Sequence, residues 1–192
     1  RWTMELFGTA GIRGSATERV TPELALSVGR AAGRAALESD APAEFVVGRD
    51  GRTTGQGLAA AVEAGLLSAG ADVTRVGVVP TPALAFASRG RRGVMLTASH
   101  NPPTDNGIKM FVDGQEYDRD LERDIETRVE AGATPADWDD WGAAGTSGVL
   151  DAYRSAIVEF AGRHGAALDG LSVAVDCGNG MSALGTPQVL RD

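Results

Sequence analysis

Short apolar runs of β type alternate along this chain with stretches whose apolar residues recur at helical spacing. No other feature constrains the fold as much. A strand, a crossover helix and a second strand build a sheet with helices layered on its faces. Thr21-Pro22-Glu23 reads as an N-cap, a proline at the first helical position and an acid in the first turn. With Leu24, Val28, Ala31, Ala32 and Ala35 behind it, this predicts a helix from Pro22 to Glu38. Glu44 to Val47 is a β-type run ending at Gly48, and a second helix carries Leu58, Val62, Leu66 and Leu67 up to a stop at Gly70. Further strands are expected over Asp72 to Val79, Gly93 to Thr97 and Gly107 to Val112, the last followed by an Asp113-Gly114 turn. Helices are expected over Ala83 to Arg89 and Asp118 to Ala131. The fold class is therefore α/β.

The rest of the chain reads differently. Residues 132–148 show no clear period and read as a linker or surface loop. Leu150 to Arg163 is a predicted helix anchored by Tyr153, Ile157, Val158 and Phe160. Leu171 to Val175 is fully apolar and reads as a strand buried on both faces, opening a new βα unit whose sheet partners would lie beyond Asp192. That predicts a fragment of a larger protein. The net charge of −8 argues against a nucleic-acid partner, which needs a basic face. No apolar run reaches the length of a membrane span, and Arg1 to Phe7 lacks a signal-peptide pattern. Cys177 is the single cysteine, so a reducing, cytoplasmic setting is the expectation. The acid-rich, arginine-rich composition fits either solubility at high salt or a GC-rich genome.

Sheets of this class place their sites in the loops at the carboxyl ends of strands. The loop from Ala98 to Asn106 is rich in Ser, Asn, Pro and Asp, which argues against helix or ladder strand. It presents Ser99 on stiff backbone, directly before His100. A serine-hydrolase pairing of the two is disfavoured, because adjacent residues rarely aim at each other and no G-x-S-x-G elbow is present. His164, the other histidine, reads as a solvated residue at a helix end. Alone, Ser99 would be an ordinary turn serine. Lys109 changes this. Of 18 basic residues it is the only lysine, and it follows the serine loop on the next strand. Arginine holds its proton near neutral pH, whereas a lysine releases it once burial or nearby positive charge favours the neutral form. Strand alternation puts Ile108, Met110 and Val112 on one face and Lys109 with Phe111 on the other. In Phe7 to Gly14, three glycines permit close approach of an anion and Arg13 offers a fork for phosphate oxygens. Arg49 and Asp50, in the turn from Gly48 to Arg52, read as structural.

Together these segments resemble the α-D-phosphohexomutase family, the phosphoglucomutases and phosphomannomutases. The resemblance lies in Phe7 to Gly14, Gly48 to Arg52, Pro80 to Pro82, Thr97 to Pro102, Asp105 to Lys109 and Val175 to Gly180, in the family's order and over nearly the whole chain. It implies a layered mixed sheet flanked by helices. Residues 1–147 would form the first, phosphoserine-bearing domain of four, and residues 148–192 the opening of the second. It implies an intramolecular phosphotransferase that interconverts hexose 1-phosphate and hexose 6-phosphate through a hexose 1,6-bisphosphate. Ser99 would carry the phosphoryl group, Lys109 act as general acid/base, Arg13 stabilise the transferring group and His100 line the site. Mg2+ would bridge the phosphate on Ser99 to an Asp-rich loop that this chain does not contain; Asp139-Asp140 lacks the spacing to replace it. The partners implied are a phosphohexose substrate and the C-terminal domains of the same protein, without which the 192 residues are expected to be inactive. Thr97 leans the reading towards glucose and mannose. Phosphoglucosamine mutase is the alternative within the family, and a non-catalytic phosphosugar-binding module the alternative outside it.

Overall fold

The computed structural model of the chain describes residues 5–165 and 170–191. Residues 1–4, part of the segment without a signal-like pattern, lie outside them. Strand β1 spans Ile12–Ser15, helix α1 Pro22–Leu37, β2 Glu44–Arg49, α2 Gly55–Ala69, β3 Asp72–Val78, α3 Thr81–Ala87, β4 Arg92–Leu96, β5 Asp105–Val112 and β6 Gln115–Glu116. Helix α4 spans Arg119–Ala131, β7 Ala144–Thr146 and α5 Leu150–His164; a 3-10 turn at Met181–Leu184 and a short α6 at Thr186–Val189 follow. The strands form one mixed sheet in the order β1-β5-β4-β2-β3-β7, with β6 pairing β5 as a hairpin. Strands β4, β2, β3 and β7 run parallel, and β5 is antiparallel to both β4 and β1. Among the described residues, no helix is long and apolar enough to cross a membrane.

Alternation along the central strands sorts their side chains between two cores. Phe45 and Val47 of β2, Val94 and Leu96 of β4, and Ile108 and Met110 of β5 pack with α1, α2 and Ile125 of α4. Val46, Met95 and Phe111 point the other way, towards α3 and the start of α5. The local signals act as read. Thr21 Oγ1 accepts the Leu24 N–H at 3.3 Å, and Asp118 caps α4 through the amides of Asp120 and Leu121. Gly70 ends α2 in the left-handed region, at φ 99°. Helices α1 and α2 meet backbone to backbone. A Cβ on Gly65 would collide with the Leu26 carbonyl oxygen and lie 2.7 Å from the Arg30 nitrogen.

Three expectations change. The glycine-rich stretch at the N-terminus ends in a strand, β1, because Ile12 to Ser15 pair with β5. The period-free 132–148 segment contains β7, which pairs with β3 over Ala144 to Thr146. Three residues are too few to show a period. Leu171 to Val175 forms no strand. Among the described residues no strand pairs with it, and Leu171 and Val173 are 66% and 63% exposed.

Two outcomes follow from this packing. Gly65→Ala is expected to destabilise the chain by about 1–3 kcal/mol through overpacking. Gly57→Ala on the same helix has open space around the new methyl and is expected to gain up to about 1 kcal/mol. Urea unfolding of the two variants checks both. The second outcome concerns Arg92, which is 5% exposed and donates to the Tyr117 hydroxyl at 2.7 Å and to Ser39 Oγ at 2.8 Å. Burial pushes the Tyr117 phenol above its ordinary value, against the opposite pull of Arg92. The unfolded chain therefore releases this proton first. The contribution is whole below about pH 10 and is lost as pH rises through the folded value. Tyr117→Phe should be less stable near about pH 8, where Arg92 loses an acceptor, yet lose stability less steeply above about pH 10.

Candidate functional site

Parallel pairing of β2 with β4 brings their carboxyl ends together, Arg49 beside Leu96. The turn after β2 and the loop after β4 therefore meet, and the Asp50 amide donates to the Leu96 carbonyl at 3.0 Å. Thr97 continues the ladder, its amide donating to the Gly107 carbonyl at 3.0 Å. Ser99 then turns the chain with φ 55°, in the left-handed region. That conformation costs a serine about 1–3 kcal/mol and persists only where the surroundings enforce it. Here the Ser99 amide donates to Thr97 Oγ1 at 3.0 Å, and Thr97 Oγ1 donates to Asp50 Oδ2 at 2.7 Å. The Asn101 amide closes the turn on the Ala98 carbonyl at 3.0 Å.

Arg52 joins the same network. Its Nε donates to Asp50 Oδ2 at 3.1 Å, and its terminal nitrogens reach the carbonyls of Ser99, Asn101, Pro102 and Asp105 at 2.6–2.9 Å. Asp50 also accepts the Arg52 amide at 3.0 Å. Asp50 and Arg52 thus hold the loop that carries Ser99. From the sequence Asp50 reads as structural, and Arg52 carries no role of its own. The available signal was an Asp-x-Arg turn directly after a strand neighbouring the serine strand.

The loop opens on a cavity of about 1020 Å³. Ser99 and His100 line it with Asp50, Arg52 and Thr97; Pro80-Thr81-Pro82, α5 and the segment 178–190 form the other walls. Ser99 Oγ and His100 Nδ1 stand 3.5 Å apart, at the outer limit of a hydrogen bond, and both residues are exposed. Among the described residues no third group orients the His100 ring, so the geometry does not assemble a hydrolytic triad.

Arg13 and Lys109 do not line this cavity, but they stand on its flank. Arg13 pairs with Gly107 and Lys109 with Met95, itself a wall residue. Arg13, Gly107 and Thr97 form one rung of the sheet, and Lys109 and Met95 form the next rung on the same face, about 7 Å along. Gly107 lets its neighbours approach closely: a Cβ there would lie 2.5 Å from the Ile12 and Thr97 carbonyl oxygens and 3.0 Å from Arg13 Cγ. Arg13 Nε donates to the Ala10 carbonyl at 3.1 Å, and among the described residues its terminal nitrogens have no partner. Lys109 Nζ is paired with Glu116 Oε1 at 2.7 Å, across the β5–β6 hairpin. Among the described residues no three His, Cys, Asp or Glu side chains gather to hold a metal ion. Asp50 already serves Arg52 and Thr97, and Asp105 at the far end of the loop accepts from Asn101, so the described residues do not make a magnesium site by themselves.

Residues 4–136 match the family described as phosphoglucomutase/phosphomannomutase, alpha/beta/alpha domain I. A phosphoglucosamine mutase of Salinispora arenicola is 47% identical over 196 residues, covering 97% of this chain and 43% of that protein. A phosphopentomutase of Thermococcus kodakarensis is 43% identical over 193 residues, covering 98% of this chain and 41% of the other. The crystal structure of a phosphoglucomutase/phosphomannomutase family protein from Burkholderia thailandensis superposes with a TM-score of 0.73 at 32% identity, over 81% of this chain and 35% of that one. The chain thus spans less than half the length of the curated relatives it matches.

The Thr97 hydroxyl is the link between Asp50 and the Ser99 amide, and Thr97→Val removes it without changing the side chain's shape. The amide of Ser99, an exposed residue, then exchanges this acceptor for water, at a cost of about 0.5–1.5 kcal/mol. Hydrogen exchange at Ser99 is expected to accelerate by about two- to tenfold, while the amides of β2 keep their protection.

Proposed function

We propose, from the premise that this chain belongs to the phosphoglucomutase/phosphomannomutase family, that it is the phosphoserine-bearing part of a sugar-phosphate mutase. Residues 1–147 would be its first domain and residues 148–192 the opening of its second. Ser99 carries the phosphoryl group. The observation that carries this reading is the enforced left-handed turn at Ser99 on the rim of the cavity, with two cations on the neighbouring rungs. Phosphoryl transfer requires placement and charge neutralisation above all.

In the proposed reaction the bond between Ser99 Oγ and phosphorus breaks as a bond forms from phosphorus to the free hydroxyl of a sugar monophosphate. Lys109 relays the proton that this hydroxyl loses, and Ser99 Oγ ends the step protonated. The bisphosphate turns in the site and returns its other phosphoryl group to Ser99 by the reverse step. The terminal nitrogens of Arg13 meet the oxygens of the transferring group, whose charge on serine is about −1.5 to −2. His100 lines the sugar's approach. A divalent cation such as Mg2+ would neutralise more of that charge; Ser99 would offer it one phosphate oxygen, and its remaining ligands would come from another part of the protein.

The substrate proposed is a hexosamine phosphate, on the strength of relatives named phosphoglucosamine mutase. Thr97, the residue that leans towards glucose and mannose, has its hydroxyl committed to Asp50 and the Ser99 amide. It has no free proton for a sugar.

Incubating the full-length protein with glucose 1,6-bisphosphate should add one phosphoryl group, mapped to Ser99 by mass spectrometry and missing in Ser99→Ala. Uptake unaffected by Ser99→Ala would favour a phosphosugar-binding module. Lys109→Arg keeps the charge but puts in a group that does not release its proton near neutral pH, and is expected to slow turnover by about 100-fold or more. The 192 residues alone are expected to show no mutase turnover, and measurable conversion by them would refute that part.

A further inference from the structure

A guanidinium has five N–H bonds, and in Arg52 each one has an acceptor inside this chain. Nε donates to Asp50 Oδ2 at 3.1 Å, Nη1 to the carbonyls of Pro102 at 2.6 Å and Asp105 at 2.9 Å, and Nη2 to those of Ser99 at 2.9 Å and Asn101 at 2.8 Å. Four of the five acceptors belong to the loop that carries Ser99. The Arg52 side chain is only 12% exposed, although it stands in the wall of the cavity.

An arginine beside a serine of this kind invites assignment as a phosphate ligand. The hydrogen bonds argue otherwise. No donor of Arg52 is left over, so any bond to a phosphate oxygen would cost one of the bonds that shape the loop. Arg13 is the opposite case, with its terminal nitrogens unclaimed among the described residues. We infer that Arg52 is a positioning residue for Ser99 and not a phosphate ligand. The inference rests on the reading of Ser99 as the phosphoryl carrier.

The physical reason lies in how the strained turn is pinned. The Ser99 carbonyl is held by Arg52 and the Ser99 amide by Thr97, and both pins end on the same atom, Asp50 Oδ2. Removing the guanidinium frees four carbonyls and one of the two pins. A lysine cannot replace it, because an ammonium has three donors and no planar fork. In-line transfer is sensitive to this, since a displacement of about 1 Å at a reacting group costs about 100-fold in rate.

The experiment uses the full-length protein and its Arg52→Lys and Arg52→Ala variants. Transfer from glucose 1,6-bisphosphate to Ser99 is followed in single turnovers at varied bisphosphate, so that the maximal rate and the half-saturating concentration are read separately. Arg52→Lys is expected to lower the maximal rate by about 100-fold with half-saturation little changed and cooperative unfolding retained. Added guanidinium ion is expected to restore part of the rate to Arg52→Ala. Unchanged rates in both variants would overturn the inference. So would a raised half-saturating concentration at full maximal rate, which marks a phosphate ligand, or a rate loss that only tracks the unfolded fraction. If the wild-type protein takes up no phosphoryl group, the reading of Ser99 fails by itself. Hydrogen exchange then decides on Arg52: faster exchange at the Ser99 and Asn101 amides in Arg52→Lys supports its hold on the loop, and unchanged exchange refutes it.

Discussion

One carboxylate oxygen, Oδ2 of Asp50, ties the sheet to the candidate site. It receives the Thr97 hydroxyl from β4's side and the Arg52 guanidinium from its own turn. Asp50 stands there because β2 and β4 are parallel neighbours and its amide caps the ladder on the Leu96 carbonyl. The sheet thus delivers an anion to the point where the serine loop begins. Bonds to an ionised group are roughly twice as strong as neutral ones. That strength is what a non-glycine residue needs to remain in the left-handed region at Ser99.

Asp50 can serve as an anchor only if β2 and β4 hold their register, and that depends on how the opposite face is covered. With aromatics at 5% of the chain, the core is filled largely by aliphatic side chains. Helix α1 buries Ala31, Ala32 and Ala36, and α2 meets it through Gly65 with no side chain between the backbones. Small residues at the crossing let two helices lie close together on one face. The other face carries α3 and the start of α5, and the cavity opens beside them. Close packing on one side and an open cleft on the other are two consequences of the same strand alternation.

Much of this was legible in the sequence, for identifiable reasons. Helix α1 has a cap, a proline and a periodic face within its own residues, so local chemistry suffices to define it. Strands β2 and β4 are buried on both faces and therefore read as apolar runs. Strands β1 and β7 are only four and three residues long and exist through pairing with β5 and β3. Leu171 to Val175 is the converse: it is as apolar as β2, yet exposed, because apolarity leads to burial only where a partner strand is at hand. The site divides the same way. Ser99 and His100 are visible from their loop, and Lys109 from its rarity. Arg52 is not, because four of its five acceptors lie about fifty positions away in the chain and are backbone carbonyls that any residue would supply.

Ser99 and Lys109 are held with different firmness, which bears on how the proposed transfer would proceed. Ser99 is pinned at both its amide and its carbonyl. Lys109 is paired with Glu116, whose side chain is 50% exposed. That pairing depends on the β5–β6 turn, where Asp113 and Gly114 both adopt positive φ, 49° and 79°, as a two-residue hairpin requires. The Lys109 side chain is itself only 14% exposed, but the Glu116 carboxylate stands half in water, which screens the pair and weakens its hold on the ammonium. A phosphoryl carrier has to be fixed, because in-line geometry is lost with small displacements. A proton relay has to move between partners. The enforced turn at Ser99 and the weak tether on Lys109 are suited to those separate demands, and both originate in the turns that end neighbouring strands of one sheet.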